Sequence, residues 1–219
     1  MQILSKEQQN ILNATKTGDN IVVDAVAGTG KTTLILSIAK ELSSRNILQI
    51  TYNKSLKFEV REKIKISQLE NINVHTFHSL AVCYYSEKAH VDNEIRKIIV
   101  NNVKPIKKIP IIDLLVLDES QDMTYLYFQL MCKYLFDMGS QVQLLIMGDY
   151  MQGLYEFKGS DIRYLTFADL IWEKHPLLRT NEFKTCTMKM SYRITNMKKV
   201  ILYGESLIIR PTKMILYAE

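Results

Sequence analysis

Short apolar runs alternate along the chain with longer segments of mixed character. Five runs, Ile21–Asp24, Ile47–Thr51, Ile72–Thr76, Leu114–Leu117 and Val142–Met147, are rich in β-branched and aliphatic residues and read as strands. Polar or turn residues follow each run, and apolar positions then recur at helical spacing, as in Thr33–Ala39 and Leu56–Lys65. Strand and helix in alternation predict an α/β fold, a parallel sheet with helices on both faces. Right-handed crossovers place the strand C-termini, and the loops after them, along one edge where ligands bind. Glu87–Pro110, with its Lys, Asn and Pro residues, reads as a short insertion of one or two helices. A later strand, Thr187–Met190, leads into Ser191-Tyr192-Arg193, and Arg210 to Tyr217 reads as a linker and one further strand.

The residues after each strand carry the chemistry. Ala25-Val26-Ala27-Gly28-Thr29-Gly30-Lys31-Thr32 follows Ile21-Val22-Val23 directly and fits a phosphate-cradling loop with Ala in place of the first Gly. Its two glycines let backbone N–H groups wrap a polyphosphate. Lys31 supplies a point charge to the β- and γ-phosphates, Thr32 a hydroxyl to Mg²⁺, and the helix that starts here aims its positive end at the same phosphates. A plain glycine-rich turn is the competing reading, disfavoured because strand, loop, Lys-Thr and apolar helix stand in register.

Leu114-Leu115-Val116-Leu117 ends in Asp118-Glu119, and a strand buried on both faces has little use for paired acids at its tip unless they meet a cation. Asp118 is expected to hold Mg²⁺ through water, and Glu119 to orient and deprotonate an attacking water. The alternative is that both acids cap the next helix, the role preferred for Asp122. Gln152 suits a γ-phosphate contact or a plain loop amide equally. Arg193 suits a phosphate or a surface acid.

At 219 residues and 47% hydrophobic the chain can bury a sizeable core in one domain. Its net charge of +5 is compatible with a nucleic-acid partner without demanding one. Cys83, Cys132 and Cys186 have no metal-ligand spacing and read as buried free thiols in a reducing, intracellular compartment. The first residues lack a signal-peptide pattern, and no apolar stretch approaches the roughly 18 residues of a membrane span.

The series Gln8, AVAGTGKT, TYNKSLKFEVREKI, HTFHSLA, VLDESQD, IMGDYMQGLYEFKG and MSYRIT, from Gln8 to Thr195, resembles superfamily-one helicases of the UvrD/Rep type. The YNKS and HTFHSLA segments are most similar to the F-box DNA helicase branch and viral relatives, though no F-box is present. The resemblance implies a RecA-like P-loop NTPase domain at 1–200 with a short insertion at 87–110. It implies an ATP-driven motor moving 3′ to 5′ on single-stranded DNA, of the kind used in repair and replication.

By matching position, Gln8 contacts the adenine edge, Tyr192 stacks on the ring, Arg193 meets the γ-phosphate and Gln152 couples it to the DNA track. The cofactor set is Gln8, Ala27, Gly28, Thr29, Gly30, Lys31, Thr32, Thr33 and Tyr192. Thr32 and Asp118 serve Mg²⁺; Lys31, Glu119, Gln152 and Arg193 are catalytic. Tyr155 and Phe157 would stack on bases, a sequence-tolerant contact, although Phe157 also suits a core. Thr51, Tyr52, Asn53, Thr76 and His78 match the DNA groove, and His78 also suits a satisfied loop histidine.

Thr33 stands where many relatives carry Arg, Thr51 where they carry an aromatic, and Lys158 where they carry Arg, which keeps charge but loses the planar fork. Residues 201–219 read as a linker and first strand toward a second RecA-like domain, whose TxHxxKG segment and later Arg do not occur here. The expected partners are single-stranded DNA and a second motor domain, or another chain, that completes the ATP site. Alone, such a chain should bind MgATP, hydrolyse it slowly and unwind nothing. The alternative is a nucleotide-dependent DNA-binding switch without unwinding activity.

Overall fold

The computed structural model describes residues 3–153, 159–173, 175–179 and 182–192. Helix α1 (Lys6–Thr17) leads into β1 (Asn20–Ala25), α2 (Lys31–Glu41), β2 (Ile47–Ile50), α3 (Lys54–Ile66) and β3 (Ile72–His75). Then come α4 (Phe77–Tyr84), α5 (Asp92–Val100), β4 (Leu114–Leu117), α6 (Tyr125–Met138) and β5 (Gln143–Gly148). Two short helices, α7 (Arg163–Thr166) and α8 (Ala168–Trp172), precede β6 (Phe183–Met188).

The strands form one six-stranded sheet in the order β3-β2-β4-β5-β1-β6, every pairing parallel. Side chains of β4 alternate between two cores. Leu114 and Val116 join Ile11, Leu34, Ile38 and Val60 beneath α1–α3. Leu115 and Leu117 join Leu80, Ile95, Leu130, Tyr134 and Trp172 beneath α4–α8. Both faces are therefore covered, as the continuous apolar runs require. Because β4, β5 and β1 are neighbours, the loops after them meet at one place on the sheet edge.

Two expectations, the bounds of the last strand and the burial of the cysteines, are corrected. The last strand is Phe183–Met188, not Thr187–Met190. It runs parallel to β1 from Asn20↔Phe183 to Ala25↔Met188 at the sheet edge, where half-exposed Lys184 and Thr185 break the apolar run that marks a buried strand. The 87–110 insertion holds one helix, α5, within the one or two expected, and it packs on α6. The cysteines are partly rather than fully buried, though burial still pushes the Cys132 thiol up to about 11. Residues 201–219, and with them the expected linker, lie outside the described residues, as do Tyr155, Phe157, Lys158 and Arg193. No described helix is long and apolar enough to cross a membrane.

Candidate active site

The loop between β1 and α2 turns on Gly28 (φ 79°) and Gly30 (φ 84°), left-handed conformations that glycine adopts without steric penalty. A Cβ at Gly30 would lie 2.8 Å from Gln8 Nε2. The loop is braced from several sides. Thr29 turns its hydroxyl inward to Val26 O, Ala27 N donates to Asp149 Oδ2 at 2.9 Å, and Ser191 Oγ donates to Ala27 O at 2.9 Å. Tyr192 N donates to Gly28 O at 2.9 Å, so the strap after β6 lies against the loop. Helix α2 begins at Lys31, so its unpaired N–H groups face the loop's hollow.

A cleft of about 370 Å³ opens there, and Gln8, Ala27, Gly28, Gly30, Lys31, Thr32, Thr33, Asp118, Glu119, Gln152 and Tyr192 all line it. Gln8 differs from expectation in how its amide is used. Its Oε1 accepts Ser5 N in a capping box for α1, and its Nε2 donates to Thr29 O at 3.1 Å. Gln8 therefore clamps the loop, beside any adenine contact it makes.

Asp118 is only 4% exposed. Burial and the neighbouring Glu119 charge push its carboxyl up to about 7, against the opposing pull of Lys31 and hydrogen bonds from Glu119 N and Gln49 Nε2. Glu119 stands at φ 55°, a left-handed conformation that costs a non-glycine residue about 1–3 kcal/mol. Its Oε1 lies 3.2 Å from Lys31 Nζ, so the acid and the lysine of the loop face each other in the cleft. Neither acid caps the next helix, and nor does Asp122: Thr124 caps α6, accepting from Tyr127 N, and Asp122 sits in the 3-10 turn Ser120–Asp122 before it.

A chain of hydrogen bonds ties the three strand tips together. Gln121 Nε2 donates to Glu119 Oε2 at 2.9 Å, and Gln121 Oε1 accepts Asp149 N at 3.1 Å. Asp149 Oδ2 accepts Gln152 Nε2 at 2.8 Å as well as Ala27 N. Thus the acid, the loop after β5 and the phosphate loop share one network. Asp149 and Gln121 stand in the sequence motifs with no role of their own there, and Gln49 lies outside them. Its signal was present, since a glutamine inside Ile-Leu-Gln-Ile is out of place in a buried strand.

The donor set suits Mg²⁺. Two adjacent carboxylates face one ammonium, leaving a negative charge that a hard cation offsets, and Thr32 lines the same cleft. Among the described residues no group of three or more His, Cys, Asp or Glu could hold a metal.

The expected DNA side is arranged differently. Tyr52, 41% exposed, meets the edge of the Tyr127 ring at 6.0 Å. With Asn53, Gln121 and Thr124 it lines a second cavity of about 510 Å³, which shares Leu56, Glu59, Glu119 and Gln152 with the first. Asn53 caps α3 by accepting Ser55 N, and Thr76 caps α4 in a capping box with Ser79. His78 Nε2 lies 3.0 Å from Asp92 Oδ1, which also accepts the Tyr127 hydroxyl at 2.9 Å. Thr51 is 0% exposed, which corrects its expected place on the groove surface.

The AAA domain family matches residues 8–158. F-box DNA helicase 1 of Gallus gallus is 37% identical over 79 residues, 36% of this chain and 7% of that protein. Pif1 helicase from Candida albicans superposes with a TM-score of 0.55 at 19% identity, over 94% of this chain and 44% of that one. Pif1 from Bacteroides in complex with ADP-AlF3 and ssDNA gives 0.56 at 15% identity, over 94% and 46%. The chain thus spans under half the length of these Pif1 chains and a small part of the chicken protein. The shared fold is the RecA-like P-loop sheet. Matched over residues 8–158, more than half its length, this chain belongs to the AAA domain family.

Proposed function

We propose that this chain is an ATP-hydrolysing motor domain of a DNA helicase that binds MgATP and single-stranded DNA. The observation that carries this reading is the position of Glu119 and Gln152, which line both the nucleotide cleft and the Tyr52 cavity. Groups that meet the γ-phosphate on one side therefore border the candidate DNA path on the other. Support comes also from the helicases to which the chain is similar.

Lys31 sits in the first turn of α2 and neutralises phosphate oxygens cradled by the loop N–H groups. Thr32 and Asp118 would hold Mg²⁺, which would supply further neutralisation of phosphate charge. Glu119 exchanges its Lys31 partner for the attacking water and accepts its proton, a contribution of about 10²–10⁴ in rate. Gln152 and Asp149 carry the change at the γ-phosphate to the loop after β5. A second domain supplies the arginine that completes the site, worth about 10³–10⁵ in comparable enzymes. On the UvrD/Rep-type resemblance of the motif series, movement is 3′ to 5′.

The test is ATP hydrolysis by this chain with and without a single-stranded oligonucleotide, with Lys31→Ala as the blank. Slow hydrolysis stimulated by DNA and lost in Lys31→Ala is expected. Hydrolysis indifferent to both would sink the reading. Nucleotide binding without turnover would favour the DNA-binding switch instead. Direction is read on a chain joined to a second motor domain, by comparing duplexes with 3′ and 5′ tails.

A further inference from the structure

Gln49 lies in the middle of β2, which pairs with β4 in the register Gln49↔Val116. Both Gln49 and Asp118 are on the α1–α3 face of the sheet: Gln49 alternates with Leu48 and Ile50 of the opposite core, and Asp118 is two residues beyond Val116. The two side chains meet diagonally across the strands. Gln49 Nε2 donates to Asp118 Oδ2 at 3.1 Å, while Glu119 N donates to Asp118 Oδ1 at 3.0 Å.

Gln49 is 0% exposed, and its Oε1 finds no hydrogen-bond partner among the described residues. A buried amide oxygen without a partner lowers stability, and an aliphatic residue of similar size would avoid the penalty. Ile47 on the same face and the register partner Val116 show that the surroundings are apolar. The one hydrogen bond the side chain makes among the described residues is to the carboxylate assigned to Mg²⁺. Partners behind a metal-binding carboxylate fix its orientation, and losing one typically weakens metal binding about 10–100-fold.

We propose that Gln49 is a positioning residue for Asp118, turning one carboxylate oxygen into the sheet so that the other edge faces the cleft, and so sets the site's affinity for Mg²⁺. This rests on the reading of the cleft as a MgATP site. The bond explains why a polar side chain occupies a strand centre, and it acts from behind the site without touching the nucleotide.

Binding of a fluorescent ADP analogue, measured in EDTA and across a Mg²⁺ titration, tests it. In Gln49→Met the Mg²⁺ concentration giving half the metal-dependent gain in affinity should rise about tenfold, with affinity in EDTA within twofold of wild type. Gln49→Leu is the second variant should the first not fold. Thr51→Val removes another buried, unpartnered oxygen, one residue beyond β2, and should leave the Mg²⁺ midpoint unchanged. An unchanged midpoint in folded Gln49→Met, or an equal fall in affinity with and without metal, would overturn the positioning role alone. A wild-type chain whose nucleotide affinity ignores Mg²⁺ would overturn the reading of the cleft together with it.

Discussion

The nucleotide side and the expected DNA side of the sheet edge use their polar residues in opposite ways. On the nucleotide side, Lys31, Thr32, Asp118, Glu119 and Gln152 turn toward one cleft, bonded chiefly to each other and to the strand-tip network. On the DNA side, Asn53 and Thr76 are committed to helix caps, and His78 to Asp92. Tyr52 and Asn53 stand exposed on the second cavity, whereas Thr76 is buried. The lesson is that a motif residue can be required by the local fold as much as by a ligand. On the nucleotide side the local fold accounts for little of what is there: a left-handed glutamate and a buried acid are both unfavourable without a ligand.

The sharpest way to break this contrast is Glu119→Gln. If Glu119 serves chemistry, turnover should fall about 10²–10⁴-fold while nucleotide affinity holds, measured by steady-state hydrolysis beside equilibrium binding. A matching loss of binding would make Glu119 a structural partner of Lys31 instead. Next comes Gly148→Ala, which probes the network behind the acid. An added Cβ would lie 2.5 Å from Gln121 Oε1 and 2.9 Å from Leu165 Cδ2. Overpacking should cost about 1–3 kcal/mol in urea unfolding, with a drop in turnover as Gln121 is displaced from Glu119. Stability equal to wild type would show that the network has slack.

On the other side, Thr76→Ala should lose about 1 kcal/mol of stability, as for other N-caps, yet keep its affinity for a single-stranded oligonucleotide. A large loss of DNA affinity at unchanged stability would make Thr76 a binding residue and erase the contrast. The last test is a pH dependence at the same edge. Burial, reinforced by nearby Arg61, lowers His75 from 6.5 to about 4, with Lys57 and Lys107 adding to the repulsion and a bond to Ser79 opposing it. The fold therefore holds His75 neutral while the unfolded chain takes up a proton near its ordinary value. This contribution is fully present above about 6.5 and is lost as pH falls toward about 4. Urea midpoints at pH 5 and pH 7.5 should differ less in His75→Phe than in wild type; an equal difference would place the titration elsewhere.

Sequence pattern reached most of this architecture because β1, β2, β4 and β5 are buried on both faces and leave largely apolar runs. It misplaced β6 because an edge strand is half exposed, so Lys184 and Thr185 interrupt the run. The phosphate loop and the acid pair were legible because their chemistry is local: a few adjacent residues carry it. Thr51 and Asp122 were misread for the converse reason. Whether a hydroxyl faces a groove or the core, or an acid caps a helix, depends on strand register and on a competing cap at Thr124, which spacing alone does not encode. Gln49 shows the same limit: its bond to Asp118 joins residues 69 positions apart.

The central claim is that the two cavities joined by Glu119 and Gln152 form one machine, so nucleotide must alter DNA affinity. The direct measurement is fluorescence anisotropy of a labelled single-stranded oligonucleotide with this chain, in the presence and absence of Mg²⁺ and a non-hydrolysable ATP analogue. Binding linkage predicts a several-fold change in DNA affinity that disappears in Lys31→Ala. Equal DNA affinity with and without a nucleotide that is shown to bind would contradict the account.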